Sequence, residues 1–194
     1  LAEDKATEVI GIVHRDLKPS NILLSTNGPA AIPKIADFGL AKAFRAAGLT
    51  DMTRPGEVSG TPGYWPREQL VHYRYLAPAS DVFSAAAVFY EVLTGSRIRQ
   101  GFAEMLEACR KAGQSPGLAQ YIQVICSNPT VPIREREPSI PAPVAAVMDR
   151  ALREGVVTGG PDQVRSALGE LRYLDAAVFA EALRGALRES GLPA

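Results

Sequence analysis

The side chains that could do chemistry lie close together near the start of the chain. Asp16 is ionised at neutral pH and could accept a proton, and Lys18 could neutralise charge on a phosphoryl group. Asn21 and Asp37 offer the hard oxygen ligands that Mg²⁺ prefers. Moving a phosphoryl group from a nucleotide to a hydroxyl needs mainly positioned cations and a proton acceptor. The residue types and their spacing therefore predict a phosphoryl-transfer site.

The composition is that of an ordinary globular domain, and it narrows the function classes. Apolar residues make up 46% of the 194 residues and charged residues 22%. The 21 basic residues equal the 21 acidic ones, so we expect neither a nucleic acid nor an anionic membrane as partner. No apolar run reaches the roughly 18 residues that span a bilayer, so we expect no membrane segment in this chain.

Two cysteines, Cys109 and Cys126, stand far apart and lack the spacing of a zinc site. We expect them to be reduced thiols in the core of a cytoplasmic protein, although the full-length protein could be tethered to a membrane outside this segment. The first residue is Leu1 rather than methionine. This start favours a fragment or a processed piece of a longer chain.

The elements that must position the four side chains begin with two short strands. Apolar runs at residues 22–24 and 34–36 flank a turn signal at residues 27–29, which predicts a hairpin. Asp37 follows the second run directly. Residues 40–60 show little periodicity, and a connection of that length is usually functional or mobile.

The clearest predicted helix covers residues 80–94. Ser80 could cap its start, Asp81 suits its positive end, and Gly95 suits the position just past its last turn. Apolar residues cover nearly every face, which predicts a helix buried all round at the centre of the domain.

Further helices are indicated by apolar residues at helical spacing. The stripes start at Phe102 and at Leu118, and they read as core packing. A proline-rich loop at residues 129–143 precedes a helix at about 144–154, a break follows at 155–161, and a last helix covers about 175–189. The balance predicts an α+β fold that is mostly α-helical, with a few short strands near the N-terminus.

Four stretches resemble protein kinases, in that family's order and at its spacing. Residues 14–21, His-Arg-Asp-Leu-Lys-Pro-Ser-Asn, resemble the catalytic loop, and 37–39, Asp-Phe-Gly, resemble the magnesium-binding triplet. Residues 60–64 with Glu68 resemble the end of the activation segment, and residues 80–95 resemble the central helix. The resemblance implies a C-terminal kinase lobe over 1–194, with an activation segment at 37–68.

The resemblance also implies roles in transferring the γ-phosphoryl group of ATP. Asp16 would be the base, Lys18 would bind the γ-phosphate, and Thr61 would position the substrate hydroxyl. Asn21 and Asp37 would hold two Mg²⁺ ions. Leu23 would lie beneath the adenine.

Other matched residues would hold the site together. His14 would be a core histidine that packs with Phe38 between the lobes, and Gly39 completes the triplet. Arg15 would meet a phosphate on the activation segment. The remaining three have structural roles: Glu68 and Arg172 would form a buried pair, and Asp81 would hydrogen-bond the backbone of the catalytic loop.

The subtype and the phosphosites are expectations of the same kind. Lys18 with Thr61 is the pattern of serine/threonine kinases, and the loop with residues 132–136 resembles bacterial enzymes of the eukaryotic-like type. Residues 134–137 also read simply as a solvated charge run. Thr50, Thr53 and Ser59 are either ordinary loop residues or phosphosites that could order the segment through arginine.

The chain departs from the family pattern in two places. Residues 66–68 are Pro-Arg-Glu, where the family usually has Ala-Pro-Glu or Pro-Pro-Glu, so Arg67 puts the packing of the substrate loop in question. The Gly-rich loop, strand lysine, helix glutamate and adenine hinge of the small lobe are absent from these residues. We therefore expect a missing N-terminal lobe as partner, weak ATP binding by this chain alone, and an exposed apolar face for that lobe.

Three functions stay open from the sequence. The first is part of an active serine/threonine protein kinase with protein substrates. The second is a non-catalytic kinase-like binding module, against which the intact Asp16, Asn21 and Asp37 argue. The third is a small-molecule phosphotransferase of similar fold, which would generally lack the Arg15/Lys18 pairing and the Gly-Thr-Pro segment.

Overall fold

The structure is a computed structural model that describes residues 13–25, 31–38, 62–71 and 76–194. Over these residues the chain is mostly helical, with a two-stranded sheet near its start. The predicted fold class, mostly α-helical with short strands near the N-terminus, is confirmed. Within the same residues, no helix is both long enough and apolar enough to cross a membrane.

The two predicted strands pair with each other. Strand β1 (Ile22–Ser25) runs antiparallel to β2 (Ile32–Ile35), with Ile22 opposite Ile35. The second strand ends one residue earlier than its apolar run suggests. The predicted turn at 27–29 lies outside the described residues. This hairpin places the end of the 14–21 loop beside residues 36–38.

The long helix α2 (Pro78–Thr94) follows a short helix, α1 (Arg67–Val71). The predicted end is confirmed, because Gly95 has a φ of +66° and its N–H donates to the carbonyl of Glu91. The predicted cap is wrong. The helix begins at Pro78, so Ser80 lies inside its first turn and its hydroxyl donates instead to Glu68.

The expectation that α2 is buried on every side is also wrong. Val82 and Phe83 are buried, but Phe89, Val92 and Leu93 are 41%, 74% and 48% exposed. The described neighbours of α2 pack along one side of its last two turns and leave the other side uncovered. Apolar sequence on all faces did not distinguish these two sides.

The main core forms where α2 meets α6 (Ala142–Ala151) and α8 (Ala176–Glu189). Both helices start as predicted: Pro143 lies in the first turn of α6, and Asp175 caps α8 by accepting from the N–H groups of residues 177 and 178. Helix α6 ends at Ala151, three residues before its predicted end.

A smaller cluster joins α3 (Phe102–Lys111) to α4 (Leu118–Ser127). Phe102 is buried against Val124 and Ile125, so the core interpretation of this stripe is confirmed. Cys109 and Cys126 are free thiols as expected, but Cys126 is exposed rather than in the core.

Besides α1, two more of the described helices were not predicted from the sequence. Helix α5 (Ile133–Arg136) lies inside the predicted loop, although its charged side chains are exposed as expected. Helix α7 (Pro161–Leu171) follows the predicted break and buries Val164 and Leu168 against Ala77 and Ala79. The signals for α7 were Pro161 at its start and two apolar residues four positions apart.

Candidate active site

The 14–21 loop is attached to α2 by one carboxylate. Asp81, in the first turn of that helix, accepts the backbone N–H of His14 at 2.6 Å and that of Arg15 at 2.9 Å, one on each oxygen. Burial raises the pKa of Asp81, and the two N–H groups oppose that rise because they stabilise the charged form. The helix therefore fixes where the loop begins.

His14 connects this loop to the segment after β2. Its buried ring lies between the backbone N–H of Asp16, 3.3 Å from Nδ1, and the carbonyl of Ala36, 2.9 Å from Nε2. A ring that carries its hydrogen on Nε2 satisfies both contacts. Its edge meets Phe38, with 4.8 Å between ring centroids. His14 is thus a core histidine that holds the 14–21 loop to residues 36–38.

Asp16 is buried at the centre of the loop. Its Oδ2 accepts from the amide nitrogen of Asn21 at 3.2 Å and lies 2.7 Å from Nζ of Lys18. The same Asn21 nitrogen donates to the backbone carbonyl of Asp16 at 2.9 Å. The other carboxylate oxygen, Oδ1, is buried without a hydrogen-bond partner among the described residues. An unpaired buried acceptor is costly, so this oxygen is suited to receive a donor from a ligand.

Asn21 and Asp37 are brought to the same end of the hairpin. The N–H of Ala36 donates to the Asn21 carbonyl at 2.9 Å, which continues the strand pairing by one step and places Asp37 next. The side chains of Asp37 and Leu23 are exposed there. The hairpin thus presents both predicted metal ligands and the predicted adenine contact on one element.

Two non-glycine residues of the site have strained backbone. Arg15 has a φ of +71° and Asp37 a φ of +65°, a region that L-residues adopt at a cost. Both lie directly beside groups of the predicted chemistry. Strain of this kind persists when surrounding contacts over-determine it, and here Asp81 and His14 supply those contacts.

The donor set at the hairpin suits magnesium. The Asn21 nitrogen is engaged with Asp16, which leaves its amide oxygen as the acceptor end, and Asp37 adds an exposed carboxylate. No group of three or more His, Cys, Asp or Glu side chains that could hold a metal occurs within the described ranges. Mg²⁺ needs few protein ligands because it keeps waters and binds nucleotide phosphates. An amide and a carboxylate therefore fit it.

Residues 62–66, called here the 62–66 segment, form a buried strip beside α2. The segment opens with a 3-10 turn, Pro62–Tyr64, and the Ser84 hydroxyl donates to the carbonyl of Tyr64 at 3.0 Å. The Tyr64 hydroxyl bonds to Glu91, and Arg97 covers the ring at 4.5 Å from its centroid. Burial, with Glu91 as hydrogen-bond partner, raises the pKa of Tyr64 to about 12. The Trp65 side chain is buried beside Tyr64.

Glu68 and Arg172 form a buried bidentate ion pair. Nη1 of Arg172 lies 2.6 Å from one carboxylate oxygen and Nη2 lies 3.0 Å from the other. The guanidinium also donates to the carbonyl of Arg153 and stacks over the ring of Phe83 at 4.6 Å. With both charges paired and hydrogen-bonded, the pair can exist in the interior. It holds the start of α1 against α2.

The protein kinase domain family matches residues 9–153, which include the 14–21 loop, the hairpin, the 62–66 segment and α2. The chain belongs to the protein kinase family. The predicted recognition is confirmed.

Similar curated proteins are bacterial kinases. A serine/threonine-protein kinase named drp72, from Corynebacterium efficiens, is 42% identical over 55% of this chain and 19% of its own length. PknA from Mycobacterium tuberculosis is 41% identical over 55% of the chain and 23% of its length. PkaA from Streptomyces coelicolor is 34% identical over 77% of the chain and 23% of its length. The chain thus spans about a fifth of the length of these relatives.

Gln69 contacts the 14–21 loop and was missed from the sequence. It is buried, and its amide nitrogen donates to the carbonyl of Arg15 at 2.7 Å, so α1 contacts this loop directly. Its only sequence signal is its place beside Glu68, since nothing in the spacing pairs positions 15 and 69.

Several expected kinase residues lie outside the described residues. These are Gly39 of the magnesium triplet, Thr61 as substrate-positioning residue, and the phosphosite candidates Thr50, Thr53 and Ser59. Their roles, and a phosphate contact by Arg15, remain predictions.

Proposed function

We propose that the protein transfers the γ-phosphoryl group of ATP to serine or threonine hydroxyls of other proteins. The observation that carries this proposal is the state of the Asp16 carboxylate. Lys18 and Asn21 engage Oδ2, while Oδ1 is buried without a donor in the described part of the chain. An acceptor hydroxyl that donates to Oδ1 would satisfy this oxygen and place its proton on a base.

Lys18 has a second role in the proposal. Its ammonium lies 2.7 Å from Asp16 and its side chain is 20% exposed, so it can contact both the base and a phosphate at the surface. An ammonium has three donors in rotatable positions, which suits two anionic partners. Lys18 would keep Asp16 oriented while neutralising charge on the γ-phosphoryl.

Asn21 and Asp37 would hold the Mg²⁺ that accompanies ATP. When bound, Mg²⁺ neutralises charge on the nucleotide phosphates. The amide nitrogen of Asn21 donates to Asp16, which fixes the orientation of the amide group. The side chain that orients the base would therefore also present its oxygen to the metal. Loss of Asn21 would therefore disturb both functions.

The hairpin supports the expectation that ATP binds between this part and a small lobe. Its exposed apolar side chains, each between 52% and 64% exposed, are Leu23, Leu24, Ile32, Ile35 and Phe38. An apolar surface of this kind favours a partner. Leu23 would lie beneath the adenine, with the small lobe above it, and the 194 residues alone would turn over slowly.

The serine/threonine subtype rests on Lys18 and on the relatives, whose names describe them as serine/threonine kinases. We also propose that the kinase acts in the cytoplasm on protein substrates, in signalling. The intact Asp16, Asn21 and Asp37 disfavour a non-catalytic binding module. The presence of both Arg15 and Lys18 in the 14–21 loop disfavours a small-molecule phosphotransferase.

The test is to incubate the full-length protein with γ-labelled ATP and Mg²⁺ and to identify the labelled amino acids. We expect label on serine or threonine of the protein itself. Complete absence of transfer would favour the binding module, and label confined to small acceptors would favour the third function. The 194-residue chain alone is expected to show little transfer, and vigorous transfer by it would mean that a small lobe is dispensable.

A further inference from the structure

Arg67, which stands where the family usually has proline, contacts a carboxylate far along the chain. Its backbone N–H donates to Oε1 of Glu154 at 3.0 Å, and its Nε lies 3.3 Å from Oε2 of the same residue. Proline has neither an N–H nor a cationic side chain and could make neither contact. The arginine that departs from the family pattern therefore forms an ion pair with Glu154 that proline could not form.

The same guanidinium reaches the end of α4. Nε donates to the carbonyl of Ile125 at 3.0 Å, and Nη2 donates to the carbonyl of Asn128 at 3.2 Å. The last carbonyls of a helix lack partners within the helix and carry partial negative charge. Arg67 thus satisfies one of them, together with the carbonyl of the residue that follows the helix, and connects the 62–66 segment to the α3–α4 unit.

Arg99 completes the cluster from the other side. Its fully buried guanidinium bonds to Glu154 through Nη2 and donates through Nη1 to the carbonyl of Trp65 at 3.3 Å. Burial lowers the pKa of Arg99, and the Glu154 charge opposes that change. The guanidinium also lies 5.4 Å from the centre of the Phe83 ring, and the Arg172 guanidinium lies 4.6 Å from the same ring centre.

We propose that Arg67, Glu154 and Arg99 form a second anchor that positions the 62–66 segment for the protein substrate. The cluster holds the Trp65 carbonyl and the Arg67 N–H, the backbone groups on either side of Pro66. It does so without using Glu68 or Arg172. Arg67 is a positioning residue, and this inference rests on the proposed kinase function.

The kinetic test compares Arg67→Ala with Arg110→Ala in the full-length protein, with myelin basic protein as acceptor probe. Arg110 is a matched control because its ion pair with Glu107 is exposed. We expect Arg67→Ala to raise the KM for the acceptor about tenfold, the loss of roughly one charge-assisted hydrogen bond. The KM for ATP and the acceptor-independent hydrolysis of ATP should not change. Arg67→Lys should restore the KM only in part, since lysine lacks the planar fork.

The outcomes separate positioning from mere support of the fold. An equal fall in acceptor phosphorylation and in acceptor-independent ATP hydrolysis would overturn the proposal, because it would show a general loss of folded protein. An unchanged acceptor KM would overturn it as well. The Arg110→Ala control should behave as the unchanged protein in both assays.

A second measurement does not depend on kinase activity. In Arg67→Ala, hydrogen exchange over residues 62–71 and at the end of α4 should be faster than in the unchanged protein. Exchange over the 14–21 loop should stay as slow as in the unchanged protein. If the unchanged protein phosphorylates nothing, the proposed function fails while this exchange result still decides the anchor. Exchange over 62–71 that matches the unchanged protein would overturn the anchor.

Discussion

The 14–21 loop and the 62–66 segment are held by different kinds of contact. The loop is attached through its own backbone, with two N–H groups on Asp81 and the ring of His14 on the carbonyl of Ala36. The segment is followed by Arg67 and Glu68, each in a separate arginine–carboxylate pair. The loop is held mainly through its backbone groups, and the segment is held through two arginine–carboxylate pairs.

This difference predicts a division between stability and catalysis. Removing one member of a buried ion pair leaves a charge without a partner in the interior, which costs more than losing a single hydrogen bond. Removing a contact of the loop would move the groups that, in the proposed function, touch the reacting atoms. We therefore expect changes at the ion pairs to lower stability most, and changes at the loop to lower activity most.

The largest stability effect is expected for Arg172→Ala. Glu68 would be left buried with only Ser80 as a described donor, so the free energy of unfolding should fall by about 3–5 kcal/mol. Hydrogen exchange of α2 in a urea series, measured on the full-length protein, checks this. Arg150→Ala is the control, since Arg150 is exposed over the Tyr173 ring and should cost about 0.5–1 kcal/mol. Equal losses would remove the contrast between buried and exposed arginines.

A smaller stability loss is expected for Asp81→Asn. An amide has one acceptor oxygen for two N–H groups, so one donor of the loop would be unpaired at a cost of about 1–3 kcal/mol. The rate of phosphoryl transfer should fall by more than the loss of folded protein explains. Asp149→Asn is the matched control, because that carboxylate accepts a single N–H, from Ile133, which asparagine can keep. A loss of activity as large in Asp149→Asn would contradict the role given to Asp81.

The smallest effect concerns pH at the 62–66 segment. The pKa of the Tyr64 phenol is raised from 10.0 to about 12, so the folded state holds this proton where the unfolded state has lost it. Stability from this group is therefore present below pH 10 and is lost as pH rises from 10 through about 12. The pKa values of Tyr90, Tyr121 and Tyr173 are also raised by burial, so ultraviolet titration should show several late tyrosinates, and Tyr64→Phe should remove one of them. A late absorbance change as large in Tyr64→Phe as in the unchanged protein would contradict the burial of Tyr64 against Glu91.

The loop could be predicted from the sequence because its contacts are local or follow a strong motif. Asp16, Lys18 and Asn21 lie within six residues and meet in space as their spacing suggests. The hairpin follows from two apolar runs around a turn, and Gly95 marks the end of α2 by its left-handed backbone. Local chemistry was sufficient for these features.

The second anchor could not be predicted, because it joins residues that no local rule connects. Arg67, Arg99 and Glu154 come from three separate parts of the chain, and only the packing of α2, α4 and α6 brings them together. Similarly, the exposed side of α2 at Val92 depends on which neighbours cover it rather than on its own sequence. Both the second anchor and the exposed side of α2 depend on tertiary contacts.

The most direct test of the account is Asp16→Asn in the full-length protein, with labelled Mg-ATP and incorporation into serine and threonine as readout. We expect a fall of about 10²–10⁴-fold, the usual contribution of a positioned base. The control Asp162→Asn changes an exposed carboxylate in the first turn of α7 and should leave incorporation unchanged. Undiminished incorporation in Asp16→Asn would contradict the assignment of Asp16 as the base.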